Sequence, residues 1–228
     1  MCFFQKTTLE SSGVFDGFTD FHSHILPGVD DGFRRMEDSL AALEFVKGLG
    51  FKTLWCTPHV MEDIPNTTSS LKKRFAELQA SYDGPLELHL AAEYMLDDLF
   101  EERLSTGDFL YLGDSQILVE TSYFNPPVNM DELLRKIMAS GIYPVLAHPE
   151  RYVYMDEKDY LRLHGMGVRF QLNLTSFGGA YGPVARKKAE WLYKKGMVFC
   201  YGSDMHSLSH FKMRIKNKIS VKFENNEN

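Results

Sequence analysis

An α/β fold built on a parallel sheet is what the sequence predicts, and three observations predict it. Seven short strand-like runs recur along 228 residues, about 25 to 35 residues apart, the size of a strand–helix unit. Apolar stripes at helical spacing lie between several of them, and glycines follow three of those stripes, where a left-handed residue would end a helix. No Gly/Ser linker or low-complexity tract divides the chain, so one domain spanning residues 1–228 is expected.

The runs fall at residues 19–24, 52–57, 86–92, 116–121, 143–148, 168–174 and 197–203. Met36, Leu40, Leu43 and Val46 form the first helical stripe, closed by Gly50, and Leu71, Phe75, Leu78 and Tyr82 form the second. Met130, Leu133, Ile137 and Met138 precede Gly141, while Ala185, Ala189 and Leu192 precede Gly196. Residues 1–18 read as an N-terminal extension and 19–206 as the body. The remainder, 207–228, reads as a last helix with the basic stretch 212–222 on its solvated face, then a frayed tail from 223. Periodicity does not choose between a closed barrel and an open, doubly wound sheet. An open sheet for phosphate ligands often carries a Gly-rich turn after its first strand. Here that run ends in Phe21-His22-Ser23-His24-Ile25-Leu26-Pro27-Gly28, with no G-x-G-x-x-G.

Composition narrows the function classes. At 44% hydrophobic and 25% charged the chain is in the globular range, which excludes disorder as its main state. A net charge of −6 argues against sequence-independent nucleic-acid binding. No apolar run approaches the roughly 20 residues of a membrane span. A secretory leader is not expected, because Phe3 and Phe4 are not followed by an apolar run. Three scattered cysteines, Cys2, Cys56 and Cys200, fit a reducing compartment better than a disulfide framework, so a cytoplasmic location is expected.

The placement of His, Asp and Glu is the informative feature. His22 and His24 end the first run, His59 follows the second, Glu93 the third, Glu120 the fourth and His148 the fifth, while Asp204 and His206 follow the seventh. Five of the eight histidines thus sit at the carboxyl ends of strands, the edge where parallel α/β architectures bind ligands. His-x-His and Asp-x-His each put two ligand-type side chains on one side of an extended segment. Imidazole with carboxylate and no thiolate suits Mn²⁺, Fe²⁺ or Zn²⁺. Eight or nine such groups meeting at one rim would repel or stay unsatisfied without cations, which points to a multinuclear metal centre. His89, His164 and His210 lie off the pattern and read as hydrogen-bonded loop residues. Glu87 reads as a salt-bridge partner, and Cys56 and Cys200 as small core residues.

Clustered divalent ions suit hydrolysis at phosphorus, because they acidify water toward a pKa of about 7 and clamp attacking and leaving oxygens. Arg151, three residues after His148, is the candidate phosphate contact; its bland alternative is a surface ion pair with Glu150 or Asp156. A cysteine phosphatase is excluded. Six residues after Cys2, Cys56 and Cys200 stand Thr8, Glu62 and His206, not the arginine that chemistry needs. No G-x-S-x-G elbow is present either.

The motifs resemble a known family. Phe21-His22-Ser23-His24 with Val29-Asp30-Asp31-Gly32, then Thr57-Pro58-His59, Ala92-Glu93, Val119-Glu120, Ala147-His148-Pro149-Glu150-Arg151-Tyr152 and Gly202-Ser203-Asp204-Met205-His206 are similar to the polymerase-and-histidinol-phosphatase (PHP) superfamily. Within it they resemble the manganese-dependent protein tyrosine phosphatases of bacterial capsule and exopolysaccharide biosynthesis. The resemblance runs in order from residue 19 to 206. It implies a distorted, TIM-like (β/α)7 barrel with its metal site at the carboxyl ends of the strands.

It also implies three divalent ions, Mn²⁺ by family habit with iron or zinc as alternatives. His22, His24 and Asp204 would hold the first. Glu93 would bridge it to a second, completed by Glu120 and His148. Asp31, His59 and His206 would hold the third. Asp31 is preferred to Asp30 by the family's offset of nine from His22; the residues alone do not separate two adjacent carboxylates. Arg151 and Asp204 would be catalytic, with Arg151 on the phosphate. A second family arginine, seven residues after the Asp of Asp-x-His, is replaced by Phe211, and Arg214 is the nearest substitute for substrate binding.

The implied reaction is phosphotyrosine hydrolysis by metal-activated hydroxide without a phosphoenzyme. The implied partner is the Tyr-rich tail of a membrane-associated bacterial tyrosine kinase, and the loop Tyr123-Phe124-Asn125-Pro126-Pro127 could shape the rim that receives it. The rivals are a histidinol-phosphate phosphatase and a metal-binding regulatory protein without turnover. Oligomeric state is not legible in the sequence.

Overall fold

The computed structural model describes residues 7–223. Cys2, most of the N-terminal extension's first residues and the tail beyond 223 lie outside them. Among the described residues there are nine strands and seven α-helices, in a mostly alternating order. They are β1 (Thr19–Ser23), α1 (Met36–Leu49), β2 (Thr53–Cys56), β3 (His59–Val60), α2 (Thr68–Ser81), β4 (Glu87–Leu90), β5 (Glu93–Met95), α3 (Asp98–Thr106) and β6 (Gln116–Glu120). Then follow α4 (Met130–Ala139), β7 (Tyr143–Ala147), α5 (Glu157–Met166), β8 (Arg169–Asn173), α6 (Gly182–Lys194), β9 (Val198–Gly202) and α7 (Leu208–Arg214).

Every named strand pair is parallel. The strands form two sheets, one in the order β1-β2-β4 and one in the order β3-β5-β6-β7-β8-β9. The α/β class with parallel sheets is therefore as expected, but no closed barrel is found among the described residues. Two expected strands are each followed by a short strand that the spacing does not predict. The run at 52–57 forms β2, and past Thr57-Pro58, where proline offers no N–H to a ladder, comes β3; the run at 86–92 forms β4, and past Ala91-Ala92 comes β5. Backbone bonds cross the breaks, Ala91 N–H donating to Cys56 O at 2.9 Å and Glu93 N–H to Pro58 O at 3.0 Å. The outer strands also meet: Asp204 N–H donates to His22 O at 2.8 Å and His24 N–H to Met205 O at 3.2 Å.

The helical stripes point where the spacing says. Leu43 and Val46 on α1, Leu71 and Leu78 on α2, Leu133 and Ile137 on α4, and Ala185, Ala189 and Leu192 on α6 are buried. Gly50, Gly141 and Gly196 take φ of 104°, 82° and 66°, which ends each helix as expected. Two helices were not foreseen. α3 is capped by Asp97, whose side chain accepts from Phe100 N–H at 3.0 Å, and α5 by Asp156, which accepts from Lys158 N–H at 2.8 Å. The last helix is shorter than expected. It ends at Arg214, and buried Ile215 and Ile219 pin the following chain, where Lys218 bridges to Thr8.

The strands are apolar on both sides, as parallel sheets are. Ile117, Val119, Leu146, Phe170 and Leu172 join the large core that the helices cover. Leu118, Val145, Ala147 and Cys200 face the other way and form a second cluster with Ala91 and Leu112, against Phe21 and Trp55. Each Val, Leu, Ile or Phe among them stabilises the fold by about 1.5–3 kcal/mol. That packing fixes the strand ends, and the polar cluster stands on it.

Candidate metal centre

All nine expected ligands come to one place. His22 lies on β1 and His24 just beyond it, both fully buried. The following loop folds back so that Phe33 N–H donates to His24 O at 3.2 Å. Gly32 permits this approach, since a Cβ there would collide with the His24 carbonyl. His59 opens β3 and Glu93 opens β5, each just past a break, and the two are register partners across the β3–β5 pair. Glu120 ends β6. His148 follows β7 with φ 34°, and Asp204 follows β9 with φ 50°, the two non-glycine residues with positive φ among those described. Such backbone costs about 1–3 kcal/mol and concentrates at functional sites.

The two loop aspartates take different parts. Asp30 Oδ2 is 2.9 Å from His24 Nδ1 and accepts from His59 N–H at 3.1 Å, while Oδ1 accepts from Gly32 N–H at 3.0 Å. Asp31 reaches outward, with Oδ1 3.6 Å from His59 Nε2 and 3.3 Å from His206 Nε2.

Glu93 is the centre of the cluster. Its Oε2 is 3.2 Å from His22 Nε2, 3.3 Å from His24 Nε2 and 3.1 Å from His59 Nδ1, and its Oε1 is 2.9 Å from His148 Nε2. Asp204 Oδ1 lies 3.7 Å from His22 Nε2, 3.5 Å from His24 Nε2 and 3.4 Å from His206 Nδ1. Glu120 approaches His59 Nδ1 at 3.0 Å and His148 Nε2 at 3.9 Å. Three sets have ligand atoms close enough to share an ion: His24, Asp31, His59 and His206; His22, His24 and Glu93; and His59, Glu93 and Glu120. The grouping differs in detail from the family pattern. His59 joins Glu93 and Glu120 where His148 was expected, and His24 joins the set of Asp31.

The donor set fits divalent cations. His22 Nδ1 is 2.9 Å from Gln171 Oε1 and His24 Nδ1 is 2.9 Å from Asp30 Oδ2, so each ring's Nδ1–H has an acceptor. The two Nε2 atoms then face one another at 3.0 Å, an arrangement that needs a positive charge between or beside them. Both oxygens of Glu93, Glu120 Oε1, His59 Nδ1 and His148 Nδ1 are buried without a hydrogen-bonded partner among the described residues. The protonation pattern tells the same story. Burial pulls the His22 imidazole down, yet Glu93 and Asp204 outweigh it and hold it at about 9. Burial likewise opposes charge on His59, and Glu93 and Glu120 raise it to about 12. Burial and repulsion from Glu93 push Glu120 up. His148, desolvated and near Arg151, falls to about 4. The carboxylates thus hold His22 and His59 above the ordinary imidazole range, while His148 stays below it.

Arg151 forms the inner wall of the adjoining cleft. Its Nη1 donates to Asp204 Oδ2 at 2.7 Å, and its guanidinium lies between the rings of Tyr123 and Tyr181, 4.3 and 4.2 Å from their centroids. Neither bland partner holds it. Glu150 is buried and accepts from Asn173 N–H at 3.0 Å and Ser176 Oγ at 2.7 Å, and Asp156 caps α5. Phe211 packs into the core near Phe15, while Arg214 Nη1 reaches Tyr181 Oη at 3.4 Å. The cleft measures about 330 Å³ and is lined by Asp31, His59, Arg151, Tyr181, His206 and Arg214 among others.

With this geometry in hand, comparison with known proteins is decisive. Residues 18–224 match the family model for capsular polysaccharide synthesis, CpsB/CapC. The chain belongs to the CpsB/CapC family. It is similar to the tyrosine-protein phosphatase CpsB of Streptococcus pneumoniae, 31% identical over 203 residues that cover 83% of each chain. It is also similar to the tyrosine-protein phosphatase YwqE of Bacillus subtilis, 26% identical over 196 residues, 83% of this chain and 77% of that one. Among solved structures it resembles those of YwqE and S. pneumoniae CpsB, described as unique metal-dependent tyrosine phosphatases. The TM-score is 0.78 and the identity 25%, over 85% of this chain and 81% of the other. No helix among the described residues is long and apolar enough to cross a membrane.

In this CpsB/CapC chain several site residues escaped sequence reasoning. Asp20, fully buried two residues before His22, accepts from Ser203 N–H at 2.8 Å, and burial raises it to about 6. Tyr181 hydrogen-bonds Asp204 Oδ2 at 3.2 Å. Gln171 and Asn173 sit on β8, which carries no His, Asp or Glu; their spacing of two, alternating with Phe170 and Leu172, is the available signal. His210, expected as a loop residue, lies on α7 and lines the cleft. His89 pairs with Glu87 at 3.0 Å and stacks on Trp55, but it lies within β4 rather than in a loop.

Proposed function

We propose that this chain hydrolyses phosphotyrosine on protein, with three divalent ions and no phosphoenzyme. The observation that carries the reading is the pair of imidazole Nε2 atoms facing each other at 3.0 Å over Glu93, beside an arginine already aimed into the cleft. His22, His24 and Asp204 would hold one ion, Glu93 would bridge to a second held with Glu120 and His148, and Asp31, His59 and His206 would hold a third, manganese being the metal proposed. Bound there, divalent ions supply charge against phosphoryl oxygens and make water more acidic.

The chain's own residues do the rest. Arg151 binds phosphoryl oxygens through the guanidinium donors that Asp204 leaves free, and Tyr123 and Tyr181 keep that plane fixed. Arg214 adds a cation on the Tyr181 side. Asp204 Oδ1 faces the imidazoles while Oδ2 holds Arg151, so one carboxylate couples the metal cluster to the phosphate contact. Buried Cys56 and Cys200, whose thiols burial pushes up, leave no thiol nucleophile at the cleft among the described residues. Tyrosinate is a fair leaving group, with a pKa near 10 in the free phenol, so no strong general acid is required.

The fold reading that accompanies this is a distorted (β/α)7 barrel in one domain, supported by the backbone bonds that cross both strand breaks and join β1 to the segment after β9. The substrate we propose is the Tyr-rich tail of a bacterial tyrosine kinase that governs capsule or exopolysaccharide export, acted on in the cytoplasm.

The test is phosphate release from a phosphotyrosyl peptide and from histidinol phosphate, by chelator-stripped protein with Mn²⁺ restored. Manganese-dependent turnover of the peptide, lost in His22→Ala, is the expected result. A preference for histidinol phosphate would overturn the substrate, and metal uptake without turnover of either would overturn the enzyme.

A further inference from the structure

β8 is the inner strand of its sheet that ends without any expected ligand, yet its two inward amides are fully buried among the ligands. Gln171 Oε1 accepts from His148 N–H at 3.2 Å and lies 2.9 Å from His22 Nδ1. Gln171 Nε2 donates to Asn173 Oδ1 at 3.0 Å, and Asn173 Nδ2 donates to Asp204 Oδ2 at 2.8 Å. Both ends of this ladder are chemically unambiguous, a backbone N–H at one and a carboxylate at the other. Every amide between them is therefore fixed in orientation. Because Gln171 presents an oxygen, His22 must direct Nδ1–H toward it, which leaves Nε2 for the cluster. The ladder also ends on the two residues with left-handed backbone, His148 at φ 34° and Asp204 at φ 50°. Gly202 makes room for it, since a Cβ there would collide with His22 Cβ and come within 2.8 Å of Gln171 Nε2.

We propose that Gln171 and Asn173 are positioning residues: one neutral amide ladder on β8 orients His22 and holds His148 and Asp204 in their strained geometry. The proposal rests on the metal reading of this site. Neutral amides suit the task. A carboxylate at position 171 could still accept from His22 and His148 but could not donate to Asn173, and it would add negative charge beside Glu93 and Asp204.

Two measurements test it on metal-stripped full-length protein, Mn²⁺ uptake by calorimetry and amide hydrogen exchange at His148. Gln171→Met, similar in length but without an acceptor, should weaken Mn²⁺ binding about 10- to 100-fold and release the His148 amide to exchange while its β7 neighbours stay protected. Gln171→Glu, which keeps the acceptor, should restore His148 protection. A folded Gln171→Met protein with wild-type Mn²⁺ affinity and a protected His148 amide would overturn the ladder. Should Gln171→Met not fold, Gln171→Glu decides alone: a protected His148 amide supports the proposal and an exchanging one refutes it. Wild-type protein that takes up no Mn²⁺ would overturn the metal reading, and the ladder would then be judged on the His148 amide.

Discussion

On the helix surfaces, charged side chains pair with near neighbours in sequence: Arg35 with Asp38 at 2.7 Å, Arg74 with Glu77 at 2.6 Å, Arg186 with Glu190 at 3.0 Å. At the strand ends, His22, Glu93, His148 and Asp204 come from four distant segments, are buried, and still leave both Glu93 oxygens and His148 Nδ1 without hydrogen bonds among the described residues. The surface pairs need only a helix and water, and each adds little. The buried cluster needs the whole fold to assemble it and something beyond the fold to satisfy it. The difference separates charge that decorates a protein from charge that a protein collects for use.

Breaking the buried set should have the largest effect. Glu93→Gln removes the carboxylate that four imidazoles approach. Metal charge is worth several kcal/mol at the transition state, so turnover of a phosphotyrosyl peptide should fall about 10³-fold or more. Chelation should do the same to the unaltered protein, and restored Mn²⁺ should recover that loss but not the variant's.

The apolar layer beneath the cluster offers a second probe. Cys56 and Cys200 are buried there and their thiols are pushed up, so the thiolate that alkylating reagents require is disfavoured at pH 8. Mass mapping should find both unmodified in folded protein under conditions that saturate them in urea. Labelling of either in the native state would mean that the cluster rests on a wet, open interior.

Gly202→Ala asks how tightly the site is tied to its support. The added methyl meets His22 and Gln171, so the variant should lose about 1–3 kcal/mol of stability by urea unfolding. Arg162→Ala, which breaks a half-exposed pair with Asp131, should change the same midpoint by less than about 1 kcal/mol. Equal losses in these two variants would erase the contrast between the two populations.

Much of the cluster was legible because its signal is local: His-x-His, Asp-x-His and a His or Glu after an apolar run can each be read within a few residues. The strand pattern was legible for the same reason. What stayed hidden depends on contacts across the chain. His59 and Glu93 open short strands just past the breaks at Thr57-Pro58 and Ala91-Ala92, and Glu93 finds its imidazole partners on three other segments. Asp30 and Asp31 are adjacent, and only the fold shows that one props His24 while the other faces His59 and His206. Gln171 and Asn173 carry no charge and fit no motif. α3 and α5 bury so few residues, Phe100 on one and Tyr160 and Leu163 on the other, that no stripe announces them.

The setting of Arg151 bears on the phosphate contact proposed for it. A free arginine side chain carries about 2 kcal/mol of rotamer entropy, which a ligand must ordinarily take from it on binding. Pressed between Tyr123 and Tyr181 and tethered at one nitrogen by Asp204, this guanidinium gives up that freedom when the chain folds. A phosphoryl group taking the contact proposed for Arg151 would meet a rigid receptor, and more of its contact energy would survive as affinity.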